Sequence, residues 1–323
     1  MKNIINKFEG LKVLVIGDVM LDAYLIGHVE RISPEAPVPV VAVTNKEYRL
    51  GGAANVALNL VALGAKPILC SVIGDDVEGD ELIKLLEKAG IHASGIVKSK
   101  DRVTTTKTRV IAQNHQMLRI DNEIIDQLNE YDAFVLSKLI NKDLLPGAQV
   151  IIFEDYDKGV ITPLLVSQVV ENANKIGIKV AVDPKKRNFL SYKGVDLFKP
   201  NLKELREGFK RDADPSDKGE FELAVMDLMK VMGLKNIMVT LSERGVMISD
   251  GITFEYLPAH IRKIADVSGA GDTVISVAAL CLALGLSNKE IASLANLAGG
   301  LVCEEVGVFP IDKMKLIEEA EKI

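Results

Sequence analysis

The sequence contains only three cysteines, Cys70, Cys281 and Cys303. Each lies in an apolar run, with neither a Cys-x-x-Cys spacing nor a histidine pair nearby. This pattern argues against a zinc site and against a disulfide framework, both of which need clustered or regularly spaced cysteines. We therefore expect reduced thiols that serve as core residues.

The sequence also lacks an excess of basic residues and a long apolar segment. Its formal net charge is −6, and a nucleic-acid partner would require a clustered basic face. Residues 1–10 contain no continuous apolar run, and the longest uncharged stretch, 273–288, is too short to span a bilayer. We expect a cytoplasmic protein with small-molecule partners, and neither a nucleic acid nor a membrane as partner.

Two common nucleotide-binding motifs are absent. There is no Gly-x-x-x-x-Gly-Lys-Ser/Thr loop, and no Gly-x-Gly-x-x-Gly follows the first apolar strand. Their absence disfavours P-loop kinases and classical dehydrogenases. With 323 residues, 48% of them hydrophobic, the chain is long enough for one large α/β domain over residues 1–323.

Short β-branched runs alternate with longer helical patterns along most of the chain. Strands are predicted at residues 12–17, 149–153, 178–182, 197–199, 236–241 and 245–249. Helices are predicted at 51–63, 124–139, 161–176, 202–209 and 221–232, with two more after Asp266. Strands separated by helices of this length indicate an α/β fold with a doubly wound, mostly parallel sheet and helices on both faces.

Two patches interrupt this rhythm. Residues 23–49 contain short alternating segments broken by prolines, and residues 103–121 contain two further strand-like runs. We predict that both patches build one small β-sheet that forms a lid over the site. Because a protruding sheet has exposed edges, it also favours a homodimer formed through the lid.

The most informative stretch is 266–273, Asp-Val-Ser-Gly-Ala-Gly-Asp-Thr. Gly269 and Gly271 precede Asp272 and an uncharged helical run, so the first free N–H groups of a helix can cradle an anion there. A carboxylate at such a place suits a general base that takes a proton from an attacking hydroxyl. The alternative is that Asp272 only caps the helix and complements its dipole.

Other polar residues fall at the predicted carboxyl ends of strands, where open α/β sheets bind ligands. Asp18 and Asp22 follow the first strand and can accept hydrogen bonds from neighbouring hydroxyls, or belong to an ordinary polar loop. Asn201 and Glu204 are three residues apart at a helix start. They can hold Mg²⁺ through oxygen ligands and water, or form a capping box.

The 266–272 motif resembles the second signature of the PfkB/ribokinase family of sugar kinases, and the resemblance recurs elsewhere in the chain. It implies that Asp272 is the catalytic base and that the amides of Gly269, Ala270 and Gly271 form the anion hole. Several other segments match the family in the same way. The resemblance implies substrate contacts at Gly51, Gly52 and Asn55, nucleotide contacts at Asn201, Thr240, Ser242, Gly245 and Asn296, and metal ligands at Asn201 and Glu204. From the sequence alone, the glycines at 51–52 and the small residues of 295–302 are explained by close packing as well as by ligand contact.

From about residue 12 to residue 308, the chain is similar to bacterial D-glycero-D-manno-heptose-7-phosphate kinases, here as a stand-alone kinase domain. This likeness implies transfer of a phosphoryl group from ATP to O1, for lipopolysaccharide-core or S-layer heptose. It also implies Mg²⁺ and leaves room for a monovalent cation such as K⁺. Residues of the lid and of the loop at 154–159 are the substrate candidates. Lys107, Arg109 and Lys158 are candidates for the 7-phosphate and hydroxyls, and Asn114 lies in a segment that carries the likeness.

Two rival functions remain open from the sequence. The first is a kinase of the same fold that acts on another sugar, sugar phosphate or nucleoside. The second is a nucleotide-sensing protein that binds ATP without turnover. The complete Asp-x-x-Gly-Ala-Gly-Asp motif at 266–272 argues against the second.

Overall fold

The computed structural model describes residues 1–113, 115–260, 264–305 and 307–322. Thirteen strands and ten α-helices are found in these ranges. The strands are β1 (Lys12–Gly17), β2 (Val19–Ile32), β3 (Pro39–Gly52), β4 (Lys66–Gly74), β5 (His92–Ser99), β6 (Thr106–Ala112), β7 (His115–Asn122), β8 (Val150–Glu154), β9 (Lys179–Asp183), β10 (Leu197–Phe198), β11 (Ile237–Thr240), β12 (Val246–Ser249) and β13 (Phe254–Leu257). The helices are α1 (Lys2–Asn6), α2 (Ala53–Ala62), α3 (Val77–Lys88), α4 (Glu130–Lys138), α5 (Pro163–Ile176), α6 (Leu202–Phe209), α7 (Lys218–Met232), α8 (Ala270–Ala283), α9 (Asn288–Val302) and α10 (Lys313–Ala320).

Nine strands form the main sheet, in the order β13-β12-β11-β10-β9-β8-β1-β4-β5. The strands from β11 to β5 are parallel, whereas β12 and β13 add an antiparallel edge. One apolar core packs α2, α8 and α9 on one face, and a second packs α5 and α7 on the other. The predicted doubly wound, mostly parallel α/β sheet with helices on both faces is therefore confirmed.

A second, four-stranded sheet has the order β3-β2-β6-β7. It is built from the two patches that interrupt the helical rhythm, with β2 pairing antiparallel to β3 and parallel to β6. Its strands extend further than expected, because β2 begins at Val19 and β3 continues to Gly52. Asp18 alone separates β1 of the main sheet from β2 of this small sheet.

Several predicted elements differ from the observed ones. The helix expected at 124–139 begins only at Glu130, where the Asn129 side chain accepts a hydrogen bond from the Asp132 amide and so fixes the start. The helix expected from residue 51 begins at Ala53, because Gly51 and Gly52 end β3. Three helices, rather than two, follow Asp266. No element was predicted at 65–102, where the structure has β4, α3 and β5.

Candidate active site

Asp272 lies in the first turn of α8, buried at the carboxyl ends of the central strands. Its Oδ2 accepts a hydrogen bond from Asn55 Nδ2 at 2.6 Å, and its Oδ1 accepts one from the Tyr156 hydroxyl at 2.8 Å. Burial raises the pKa of Asp272 to about 6, although both hydrogen bonds lower it. The carboxylate is thus ionised at neutral pH and remains basic enough to accept a proton.

The turn before Asp272 is shaped by Gly269, which has φ of +80° and is the N-cap of α8. Only glycine adopts this conformation readily, so the motif glycine is required where the chain enters the helix. The amides of Gly271 and Asp272 have no acceptor in the part of the chain that the structure describes. The Ala270 amide, in contrast, already donates to Val267 O at 3.3 Å. A helix start with free amides fits an anion, while the anion hole at Gly269, Ala270 and Gly271 stays a prediction.

Asp18 is the second buried acid of the site. Its carboxylate accepts hydrogen bonds from the amides of Tyr156 (2.9 Å), Lys158 (3.2 Å) and Val160 (3.0 Å). Burial, with a smaller effect from Asp155, raises the pKa of Asp18 to about 6. Three backbone donors therefore fix Asp18 between the main sheet and the small sheet.

The two glycines predicted to contact the sugar, Gly51 and Gly52, pack against Asp22 and Asp18. A Cβ on Gly51 would lie 2.5 Å from Asp22 Oδ2, and a Cβ on Gly52 would lie 2.4 Å from Asp18 O. Gly52 also has φ of +60°. Both glycines are therefore required by close packing, and this packing brings β3 against the two acids.

The structure places the candidate cations on the small sheet and the adjoining loop, where each already has an acidic neighbour. Arg109 pairs with Asp22 at 2.5 Å. Lys107 and Lys158 share Glu123, at 3.6 and 2.7 Å. Asn114 lies outside the described residues. Arg49, which was not predicted, joins this surface with its guanidinium carbon 4.8 Å from the centre of the Tyr24 ring.

Asn201 and Glu204 form the capping box of α6. Asn201 Oδ1 accepts from the Glu204 amide, and Glu204 Oε2 accepts from the Asn201 amide, both at 2.8 Å. The other Glu204 oxygen accepts from the Lys185 ammonium. The capping interpretation is thus observed, and the metal role of both residues stays a prediction.

The predicted nucleotide residues occupy the next strands of the sheet. Asn201 and Thr240 form an isolated parallel bridge, and Ser242 begins a tight turn at φ of +55°. A Cβ on Gly245 would lie 2.0 Å from Leu257 O, so β12 and β13 can approach only with glycine there. Asn296 donates to Pro258 O at 2.8 Å. These contacts explain the local packing, while the ATP contacts stay a prediction.

Sequence reasoning placed Asp183 and Lys185 at the rim of the site but did not single out Glu154 and Lys199, which complete a buried cluster of acids and lysines beside the base. Glu154 is fully buried, and both of its carboxyl oxygens lack a partner among the described residues. Burial, together with Asp183 and Asp272, raises the pKa of Glu154 well above its usual range, which favours its protonated form. Lys199 pairs with Asp183 at 2.8 Å. The only signal for Glu154 in the sequence is that it directly follows a predicted strand, as Asp183 does, and the structure shows that these two strands are neighbours.

Comparison with known proteins agrees with this geometry. The model of the pfkB family carbohydrate kinases matches residues 11–313, so the chain belongs to that family. It is a phosphotransferase with an alcohol group as acceptor, and the family uses ATP.

Among curated relatives, the bifunctional protein HldE of Desulfatibacillum aliphaticivorans is 40% identical over 97% of this chain. HldE of Methylobacillus flagellatus is 40% identical over 96%. The chain spans 63% of the length of each of these relatives. Homology to the HldE proteins is thus shown over nearly the whole chain.

Solved structures show the same fold. Phosphofructokinase-2 from Escherichia coli, in complex with potassium, superimposes with a TM-score of 0.79 at 20% identity, covering 97% of this chain and 99% of that one. Arabidopsis thaliana ribokinase, complexed with ribose and ATP, has a TM-score of 0.73 at 18% identity, covering 96% and 99%. No helix in the described part of the chain has the length and apolar character needed to cross a membrane.

Proposed function

We propose that this protein transfers the γ-phosphoryl group of ATP to the O1 hydroxyl of D-glycero-D-manno-heptose 7-phosphate, giving the 1,7-bisphosphate for activated-heptose synthesis. The observation that supports this most directly is the buried Asp272 carboxylate beside the free amides of α8. The 40% identity to HldE proteins supports the heptose substrate. Use of ATP, together with three unpaired cysteines, favours the cytoplasm.

The chemistry follows from the positions of these groups. Asp272 accepts the proton of the attacking hydroxyl, which raises the nucleophilicity of O1 as it approaches the phosphorus. The amides of Gly271 and Asp272 face the transferring group and stabilise the charge on its oxygens. Asp18, whose carboxylate is held by three amides, is the proposed acceptor of hydrogen bonds from sugar hydroxyls.

The residues present are compatible with Mg²⁺. Asn201 and Glu204 offer only oxygen ligands, and Lys185 pairs with Glu204 and lies 4.0 Å from Asp183 Oδ1, a buried oxygen without a hydrogen-bond partner among the described residues. In the described part of the chain, no three His, Cys, Asp or Glu side chains form a closed metal cage. This suits an ion held mainly by water and substrate phosphates, with Asn201 and Glu204 as protein ligands. When bound, Mg²⁺ would shield the phosphate charge.

The distal phosphate requires cations away from O1. Lys107, Arg109 and Lys158 form such a group, and their present carboxylate partners hold them in place until an anion replaces those contacts. Arg49 extends the same surface beside Tyr24. A monovalent cation site stays a prediction.

We further propose that two copies pair through the small sheet. Its outer strand β7 is exposed along its whole length, and Met117, Leu118 and Ile120 are each between 46% and 56% exposed. An apolar strand at a free sheet edge is a typical pairing surface.

The first test measures ADP formation with heptose 7-phosphate and, in parallel, with fructose 6-phosphate, ribose and a nucleoside. Phosphorylation of the heptose at O1, identified by NMR, is the expected result, with ATP consumption only when the sugar is present. A clear preference for another acceptor would refute the heptose assignment and leave the kinase class intact.

The base is tested with Asp272→Asn, which keeps the shape of the side chain and removes its basicity. Turnover should fall by about 10²–10⁴ while ATP and sugar binding persist. Asp132→Asn is the matched control, because this buried acid accepts hydrogen bonds from Ser99 and Asn129 outside the site. Near-normal turnover of Asp272→Asn would exclude the base assignment.

A further inference from the structure

Tyr156 connects the two buried acids of the site. It lies two residues after β8, and its amide donates to Asp18 Oδ2 at 2.9 Å. Its hydroxyl donates to Asp272 Oδ1 at 2.8 Å. One residue therefore contacts both the proposed sugar-binding acid and the proposed base, which are 254 positions apart in the sequence (272 − 18).

The direction of the hydroxyl bond is fixed by the surroundings of the phenol. Burial and the neighbouring charge of Asp272 raise the pKa of Tyr156 well above its usual range. The phenol therefore keeps its proton throughout the working pH range. Its hydroxyl is always the donor, and the ionised carboxylate is always the acceptor.

Both carboxylate oxygens of Asp272 accept a hydrogen bond, but the carboxylate can accept further ones. Tyr156 donates to Oδ1 and Asn55 donates to Oδ2, so rotation of the carboxylate would break at least one bond. An ionised carboxylate offers about four lone-pair positions, and these two bonds leave about two of them for the acceptor hydroxyl. The other titratable groups facing Asp272 are Asp183, which disfavours its ionised form, Lys199, which favours it, and Glu154, whose own pKa is raised by Asp272.

The loop that carries Tyr156 is itself fixed. Asp155 Oδ1 accepts from the Asp157 amide at 2.9 Å, and Asp155 Oδ2 accepts from the Tyr192 hydroxyl at 2.6 Å. Asp157 adopts φ of +56°, and Lys185 Nζ lies 5.4 Å from the centre of the Tyr156 ring. The phenol is thus held in place before any substrate binds.

We propose that Tyr156 is a positioning residue. Its hydroxyl orients the Asp272 carboxylate toward the acceptor hydroxyl, and its amide holds Asp18 at a fixed position relative to that carboxylate. This role rests on the proposed function of Asp272 as the base. It assigns no proton transfer to the phenol. Tyr156 acts only through the orientation of Asp272 and the charge that its hydrogen bond stabilises.

The kinetic test uses Tyr156→Phe, which removes the hydroxyl and leaves the ring and the amide. A lost hydrogen bond to a charged group should lower kcat about tenfold or more, with KM for the sugar within about threefold. The acid limb of the kcat profile should move to higher pH by about one pH unit, because the missing donor had favoured the ionised form.

The matched control is Tyr256→Phe. It removes a hydroxyl that also donates to a carboxylate, Glu222 Oε1 at 3.0 Å, but on β13 at the far edge of the main sheet. This variant should leave kcat and the pH profile unchanged. If Tyr156→Phe matches the control, the proposal is refuted. If it lowers KM or speeds turnover, the phenol only occupies the place of the sugar, and the proposal is equally refuted.

A second measurement does not depend on turnover. Carboxyl carbons of ¹³C-labelled aspartate are titrated by NMR in the parent protein and in Tyr156→Phe, with Asp272→Asn identifying the resonance. The Asp272 carboxyl should titrate near pH 6 in the parent and higher in Tyr156→Phe. Identical titrations overturn the inference whichever sugar is the substrate. Failure of the heptose assay with a shifted titration instead refutes the substrate, and the kinetics are then repeated with the sugar that supports turnover.

Discussion

Asp272 shows how one carboxyl is adjusted by opposing effects. Burial disfavours its charge, while donors at 2.6 and 2.8 Å favour it, and the result is a pKa of about 6. A lower value would make the carboxylate too weak a base, and a much higher one would leave it protonated in the cell. The residue thus combines ionisation at neutral pH with useful basicity.

The same pKa shift predicts a pH-dependent cost in stability. The folded-state pKa of Asp272 is about 6, above the value of 3.8 for a free side chain. Folding therefore favours the protonated form, and stability falls as the pH rises from about 4 to 6 and then stays level. Asp272→Asn should avoid this loss, which amounts to about 3 kcal/mol at most.

Thermal unfolding of the parent protein and of Asp272→Asn between pH 4 and pH 8 checks this prediction. The difference in the free energy of unfolding should be small at pH 4, grow up to pH 6, and remain constant above it. A difference that is independent of pH would contradict the shifted pKa.

The residues of the site differ in how far the sequence revealed them. Asp272 and Gly269 were predicted because their function requires a contiguous motif. Asn55 was predicted to contact the sugar, which stays a prediction, and its amide donates to a carboxylate 217 positions away that the sequence did not indicate. Tyr156 and Glu154 were missed, because a tyrosine or a glutamate after an apolar strand carries no local signal of its distant partners.

Secondary-structure elements were predicted best where local chemistry fixes both ends. The predicted bounds of α6 match the structure, because a capping box starts it and Lys210 ends it in the left-handed conformation. Helix α4 was predicted six residues too early, since apolar spacing at 124–129 resembled a helical stripe. Strand β10 has only two residues, so its place depends on its neighbours rather than on its own sequence.

Contact between α8 and α9 leads to a prediction about packing. A Cβ on Gly299 of α9 would lie 2.6 Å from Val274 Cγ2 of α8. Gly299→Ala should therefore force the helices apart and lower the free energy of unfolding by about 1–3 kcal/mol. Gly219→Ala is the control, because Gly219 is an exposed glycine near the start of α7, where a Cβ would make only an ordinary contact of 3.7 Å with Asp217 Oδ1.

In the control, alanine should stabilise the helix by about 0.5–1 kcal/mol, since it restricts the unfolded chain more than glycine does. Chemical denaturation of the two variants measures both effects. If Gly299→Ala is as stable as Gly219→Ala, the prediction that Gly299 is needed for close packing of α8 and α9 is wrong.

At the scale of the whole molecule, the class of fold was predictable and the pairing of strands was not. Alternating strands and helices indicate a parallel sheet, but they do not give its order. In the small sheet, β2 pairs with β6, although Leu21 and Thr106 are 85 positions apart (106 − 21). Such a contact depends on the folded main sheet, which brings both segments to the same edge.

The exposed outer strand predicts the state of assembly. Leu118 lies on β7 and is 56% exposed, so a charge there should weaken pairing of two small sheets. Sedimentation of the parent protein should give twice the monomer mass, and Leu118→Glu should shift it toward the monomer. Leu223→Glu, at a 51% exposed position on α7, should leave the mass unchanged. A monomeric parent would disprove the dimer.

Only Asp18 separates the strand of the main sheet from the strand of the small one, and three amides of the Tyr156 loop hold its carboxylate. A tilt of the small sheet would therefore move the backbone directly next to a residue proposed to touch the sugar. We expect closure of the small sheet over a ligand and alignment of the reacting hydroxyl of that ligand to be a single concerted movement. A ligand too small to contact the small sheet would then also have a poorly oriented hydroxyl.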